Sequence, residues 1–327
     1  MNFTGVNETD DCPPYTCPER SVSTAVYVFL YVCAAAAVLL TVCGNLLIII
    51  SVCHFKQLHT PTNMLILSLA VSDFLVGALV MPAALIWMIE SCWIFSLVFC
   101  LCYISISMFL TTTSIYNVAL IAVDRYFALS NPFLYTETVS VKTMYIVVLS
   151  NWFVLLFYNI ALQYFCGFFS GLCPGQGFMA LDEVWSLVDL LLTFVFPCAV
   201  IIILYTLVFI IAKRHATAIR DLKIHTQTET LKNTTDSMKS ERKAAKVLGI
   251  LVSVFLACLF PYFIYTVLGN AVETDAGVFQ NVLLLVYFNS TINPVIYALF
   301  YPWFRRCVKL TLTLQIFNPD SSLMNVL

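Results

Sequence analysis

Three acidic positions lie where hydrocarbon would be expected. In SLVDLLLTFVFPC, residues 186–198, Asp189 interrupts an apolar run with no lysine or arginine near it in sequence. Asp73 does the same in LSLAVSDFLVG, and Asp124-Arg125-Tyr126 closes a third apolar stretch. A carboxylate in such a setting can hold a cation, relay a proton, or be neutral and hydrogen-bonded. An adjacent acid and base can pair with each other or exchange partners as a latch. Ionisable groups inside a membrane are costly, and each marks a functional hypothesis.

The elements that position these residues follow from composition. The chain has 327 residues, 61% hydrophobic and 10% charged, with a mean hydropathy of +0.92. That balance places it in the membrane class, because a soluble surface needs more charge. Seven stretches reach the roughly 20 residues a membrane helix requires, at about 24–53, 62–89, 97–130, 142–165, 183–213, 243–268 and 278–301. The fold expected is an all-α membrane protein: a seven-transmembrane helix bundle followed by a short amphipathic helix. Residues 1–23 form an extracellular tail, 24–301 the membrane domain with a cytoplasmic loop at about 214–242, and 302–327 the amphipathic helix and cytoplasmic tail. The long loop is expected to continue span five as a helix, lose order in its middle and re-form a helix into span six. The first span, preceded by acidic residues, reads as an uncleaved signal anchor.

Orientation comes from the basic residues. Of 16 Lys and Arg, Arg20 alone falls on the N-terminal side of the membrane. The others, from Lys56 to Lys309, fall on the opposite side, which the positive-inside rule makes cytoplasmic. Acids such as Glu8, Asp10, Glu90 and Asp275 lie outside. Two sequons, at Asn2 and Asn7, fall outside and are expected to be glycosylated. Of 13 cysteines, Cys12, Cys17, Cys92, Cys100, Cys166 and Cys173 lie outside or at the outer edge, where disulfides are permitted. His54, His59, His215 and His225 are dispersed, and no activated nucleophile, metal cluster or phosphate loop occurs, so no enzyme is expected. Nucleic acid is no partner; membrane lipid is. In YPWFRRCVKLTLTL, Trp303, Phe304, Val308 and Leu310 alternate with Arg305, Arg306 and Lys309, which suits a helix on the anionic inner leaflet. Cys307 fits either lipidation or packing there.

Asp73 shares the mid-membrane with Ser114, Asn289, Ser290 and Asn293. Those oxygens suit either a hydrated monovalent cation or a purely structural polar knot. Arg125 lies about 36 Å along the helix from Cys100, hence at the inner face. Glu241, at the start of span six, could pair with it there. Pro82, Pro197, Pro261 and Pro294 mark kinks within spans.

Gly44-Asn45, SLAVSDFL, DRY, FPY and NPVIY, in order and on the correct spans, resemble the rhodopsin-like G-protein-coupled receptors over essentially the whole chain. SVCHFKQLHTPTN, SERKAAKVLGI and NSTINPVIYALFYPWF resemble the trace amine-associated receptors more narrowly. The resemblance implies a disulfide from Cys100 to Cys173, leaving Cys166 for an N-terminal cysteine, with Cys12 and Cys17 competing. It assigns Asp73, Ser114, Asn289, Ser290 and Asn293 to an allosteric sodium site, the sole cofactor implied. It makes Ile115, Pro197 and Phe255 the packed trio that relays activation. Arg125, with Asp124, Tyr205 and Tyr297, becomes the inner-face switch, with Glu241 as the inactive-state partner of Arg125.

Two departures stand out. Amine receptors generally hold the ligand ammonium on a span-three aspartate 18 residues before Arg125, and that position is Ser107. Leu259 stands where span six usually carries tryptophan. Asp189, about 12 Å to the outer side of Pro197, is the carboxylate at pocket depth. This resembles the fish branch of the family, in which the acid has moved to span five. An unpaired buried aspartate is disfavoured in its charged form, and a ligand ammonium would restore that form. Tyr103, Trp185, Tyr262, Phe263 and Tyr287 are the aromatic residues expected around it, where cation–π contacts add about 0.5–2 kcal/mol. Tyr287 also occupies the position a retinal Schiff-base lysine would need.

The expected function is therefore an olfactory-type receptor for a small amine, a monoamine since no second acid is evident, in the plasma membrane of a sensory neuron. It would signal through a stimulatory or olfactory heterotrimeric G protein to raise cyclic AMP. One rival keeps the fold with a non-amine ligand and a structural Asp189. Another is a proton-coupled transporter, against which the odd span number and the absence of repeats argue.

Overall fold

The computed structural model describes residues 23–165, 183–225, 230–269 and 276–326. Seven helices long and apolar enough to cross a membrane run over Thr24–His54, Pro61–Glu90, Val98–Ser130, Val141–Tyr164, Val184–Arg214, Gly249–Val267 and Asn281–Phe300. No strand occurs among the described residues. Span two is the most enclosed, and spans one and four are the most peripheral. Large apolar side chains such as Phe29, Leu149, Phe157, Phe209 and Leu299 point outward. Such a surface is stable only against lipid.

Local chemistry sets the helix ends and their widened turns. Thr60 caps span two by accepting the Asn63 amide at 3.3 Å, with Pro61 in the first turn, where its missing N–H costs nothing. Ser96 caps span three through the Phe99 amide. Pro82 and Pro197 are each accommodated by a π-turn on their N-terminal side, Val76–Val80 and Leu191–Val195. A proline ring clashes with the carbonyl one turn back, and widening that turn relieves it. Tyr116 of span three donates to the Leu192 carbonyl at 2.8 Å, satisfying a backbone group within the widened turn of span five. Pro261 and Pro294 lie inside helices that continue through them.

Spans one and seven meet through Gly44. A Cβ there would lie 2.7 Å from Pro294 Cβ and 2.9 Å from its Cγ. The ring is fixed to its own backbone, so it cannot swing aside. Just beside this contact Asn45 donates to the Ser290 carbonyl at 3.0 Å, and the Thr41 and Thr291 hydroxyls lie 2.6 Å apart. Gly44→Ala is expected to force the two helices apart and cost about 1–3 kcal/mol. A lowered melting temperature of the detergent-solubilised protein would register this, and an unchanged one would contradict the tight contact.

The expected cytoplasmic arrangement has two parts. The helix of span five runs on to His225, and the helix of span six begins at Thr230; residues 226–229 lie outside the described residues. After span seven, Pro302–Leu312 forms the amphipathic helix, with Trp303, Phe304 and Cys307 buried and Arg305, Arg306 and Lys309 exposed. Arg305 donates to the Ala298 and Leu299 carbonyls, closing the end of span seven. Left-handed residues at Leu314 and Asp320 then turn the tail back to the first cytoplasmic loop. There Val326 N donates to Gln57 Oε1 at 3.1 Å, and Ser321 Oγ lies 2.9 Å from His54 Nε2.

Cys307 is wholly buried, within hydrogen-bond reach of Ser51 on span one. Burial pushes its thiol up to about 11, although the Ser51 contact pulls the other way. Because the thiolate is the nucleophile, a raised value leaves Cys307 mostly unreactive at neutral pH. In the folded protein, maleimide labelling at pH 7.5 should leave Cys307 unmodified and label it only after unfolding. Rapid native labelling would contradict the packed position.

Candidate functional site

The outer halves of spans three, five, six and seven carry the residues expected to bind ligand, and they fall into two groups. On the side of spans three and seven, Ser107 and Tyr287 hydroxyls lie 2.6 Å apart, and Tyr103 Oη lies 3.1 Å from Tyr287 Oη. All three residues are buried. Their hydroxyls satisfy one another, so this wall is neutral and closed.

The charge lies on the other wall. Asp189 is partly buried on the last helical turn before the π-turn of span five. Its Oδ1 accepts the Tyr158 hydroxyl of span four at 2.9 Å, and its backbone carbonyl accepts Thr193 Oγ1 at 2.8 Å. Among the described residues no ion pair forms at Asp189. Tyr262 of span six stands within electrostatic range of both Asp189 and Tyr287. Phe263 stacks on Phe194 at 5.0 Å and 7°, closing spans five and six one turn deeper. Trp185 is 38% exposed, toward the outer end of span five. Sequence reasoning missed Tyr158. A tyrosine in an apolar span needs a partner for its hydroxyl, but which neighbour supplies it depends on helix rotation.

Below these groups a small cavity, with room for about one water molecule, is lined by Ile115, Phe255, Leu259, Tyr287, Ser114 and Asn289 among others. Leu259, 2% exposed, thus faces the same space as Ile115 and Phe255. Pro197 is buried on span five.

Asp73 is fully buried. Ser290 Oγ donates to its Oδ1 at 2.8 Å, Ser114 Oγ to the same oxygen at 3.3 Å, and Asn293 Nδ2 to its Oδ2 at 2.6 Å. Asn289 Oδ1 is buried without a hydrogen-bond partner. One carboxylate, two hydroxyls and an orphaned amide oxygen form a hard-oxygen set that fits a small monovalent cation. Of the four partners expected from the sequence, Ser114, Ser290 and Asn293 bond Asp73 directly, and Asn289 lines one cavity with Ser114 and Ser290.

At the inner face Arg125 is folded onto its neighbour. Its Nη2 lies 2.6 Å from Asp124 Oδ2, and it also contacts the Thr62 hydroxyl. Tyr135, in the short helix Pro132–Thr138 after span three, donates to Asp124 Oδ1 at 2.7 Å. Burial, with the Asp124 charge added, pushes the Tyr135 phenol up to about 12, so it remains a donor at any physiological pH. Tyr205 and Tyr297 hydroxyls are buried without partners. The Glu241 side chain lies outside the described residues, as do Cys12, Cys166, Cys173, Asn2 and Asn7. Cys100 is buried at the outer end of span three, and Cys92 is disulfide-bonded. Nothing in the sequence distinguished Cys92 from the other outer cysteines as one in a bridge.

Seven apolar helices around polar clusters at two depths, with an arginine folded back at the inner face, define a membrane receptor of the seven-span class. Residues 44–297 match the family model of the 7 transmembrane receptor (rhodopsin family). The chain is 39% identical to trace amine-associated receptor 13c of Danio rerio over 316 residues, covering 94% of this chain and 91% of that protein. It is 35% identical to trace amine-associated receptor 2 of Mus musculus over 330 residues, covering 97% and 95%. Against trace amine-associated receptor 4 of Mus musculus the identity is 34% over 317 residues, covering 94% and 91%. The chain belongs to the trace amine-associated receptors of the rhodopsin family. It is therefore a multi-pass G-protein-coupled receptor of the plasma membrane and not an enzyme.

Proposed function

We propose that the protein is a receptor for small primary amines, with the ligand ammonium held by Asp189. The observation that carries this reading is the asymmetry of the outer pocket. Its span-three and span-seven wall is a closed set of neutral hydroxyls, whereas Asp189 on span five has one oxygen anchored by Tyr158 and no cationic partner among the described residues. Primary amines are protonated at neutral pH, and such a carboxylate gains most from a cation that arrives without its water. Tyr262, within electrostatic range of Asp189, offers an aromatic ring there.

Binding would shift an equilibrium between two arrangements of spans five and six by its greater affinity for one of them. Phe194 and Phe263 couple those spans just below Asp189. At the inner face, release of Arg125 from Asp124 and Thr62 would free it for Tyr205, whose hydroxyl has no partner. The parted inner ends would admit a heterotrimeric G protein of the stimulatory or olfactory type, raising cyclic AMP in an olfactory sensory neuron. Asp73, with Ser114, Asn289, Ser290 and Asn293, would hold an allosteric sodium ion, which when bound supplies a compensating positive charge at the mid-membrane.

A second reading takes the Tyr158–Asp189 bond as a structural tie between spans four and five, with a non-amine ligand. The test is a cyclic AMP assay on cells expressing the chain, challenged with primary alkylamines, 2-phenylethylamine and 1,5-diaminopentane. Saturable responses to a protonated amine support the first reading. Silence to all of them at normal surface expression favours the second.

A further inference from the structure

We propose that Tyr158 is a positioning residue for the ligand-binding carboxylate, holding Asp189 so that one oxygen faces the ligand; this rests on the amine reading above. An ionised carboxylate has two oxygens and accepts hydrogen bonds at both. In Asp189 the first is taken by the Tyr158 hydroxyl at 2.9 Å. Among the described residues no donor reaches the second. The backbone beneath is pinned separately, by Thr193 Oγ1 on the Asp189 carbonyl. The side chain therefore has one remaining freedom, rotation about its own bonds, and the phenol removes it.

One face of span four, with Phe153, Val154, Phe157 and Ile160, is turned outward, while Leu155, Asn159 and Leu162 are buried. From this span Tyr158 reaches Asp189, while the neighbouring Asn159 and Gln163 bond to each other and Gln163 accepts from Ser105 of span three. With the opposite wall closed by Ser107, Tyr103 and Tyr287, the ammonium subsite lies among spans four, five and six. Orientation matters because a charged hydrogen bond weakens steeply with angle, and a carboxylate free to turn must be ordered by the ligand at the cost of affinity. The phenol also supplies a hydrogen bond to the buried carboxylate before ligand arrives, which limits the cost of keeping it there.

The test uses the full-length receptor and the primary-amine panel. Tyr158→Phe keeps the ring and deletes the hydroxyl, so packing is preserved. The expected result is a rise in agonist EC50 of about tenfold, the range of a single hydrogen bond to a charged group, with surface expression and maximal response unchanged. In an Asp189→Asn background, read at raised agonist concentration, the same change should shift EC50 less than twofold, because there is no longer a charge to orient. Tyr158→Phe within twofold of the wild type would overturn the positioning role while leaving Asp189 as ammonium partner. So would losses that simply multiply in the double variant, which would mark Tyr158 as a structural tie. If Asp189→Asn itself leaves amine potency unchanged, the ammonium partner lies elsewhere, and the amine reading falls together with this one.

Discussion

Asp189→Asn should raise the EC50 of an activating amine by about 30- to several-thousand-fold, equivalent to roughly 2–5 kcal/mol for one partner of a buried charge pair. Asparagine keeps the shape and can still accept the Tyr158 hydroxyl, so the loss is specific to charge. Asp189→Ala should lose at least as much, and it also leaves that hydroxyl without its acceptor. Stability supplies an independent sign. A partly buried carboxylate with no cationic partner among the described residues costs folding energy, so the unliganded Asp189→Asn receptor should melt no lower than the wild type. A functional group commonly trades stability for activity in this way. Potency within twofold of the wild type, or a marked fall in the melting temperature of Asp189→Asn, would make the carboxylate structural.

Ser107→Asp is expected to change ligand selectivity rather than abolish response. Ser107 lies in the opposite wall, 2.6 Å from the Tyr287 hydroxyl, which can donate to a carboxylate placed there. Two acids on facing walls suit a ligand with two ammonium groups, and a second desolvated ion pair is again in the range of about 2–5 kcal/mol. The potency of 1,5-diaminopentane should therefore rise at least about 30-fold relative to a monoamine of similar length. Equal gains for both amines, or none for the diamine, would show that the two walls do not address one ligand. The added carboxylate also disturbs the Tyr103–Tyr287–Ser107 set, so a modest loss of stability in the unliganded state should accompany the gain.

The class of the molecule was legible in its residues. Seven apolar stretches, one-sided basic residues and motifs in fixed order are properties of local sequence, and hydrocarbon leaves a spanning segment no option but the helix. The cluster around Asp73 was also legible, because each partner sits at a motif position whose span and depth are set by residue count. The amphipathic helix after span seven followed from its alternation of apolar and basic residues.

What only the tertiary structure decided depends on rotation of one helix against another. Tyr158 carried no signal in the sequence that singled it out, and only packing turns it to Asp189. Phe263 likewise stacks on Phe194, and Ser107, Tyr103 and Tyr287 close on one another, because spans three, five, six and seven lean together at particular angles. The widened turns before Pro82 and Pro197 shift the register of everything on their outer side, including Asp189. A return of the tail to Gln57 and His54 has no periodicity to announce it. Residue type and count fix what a helix carries and how deep; side-chain interlock between helices, which no single segment encodes, fixes what it faces.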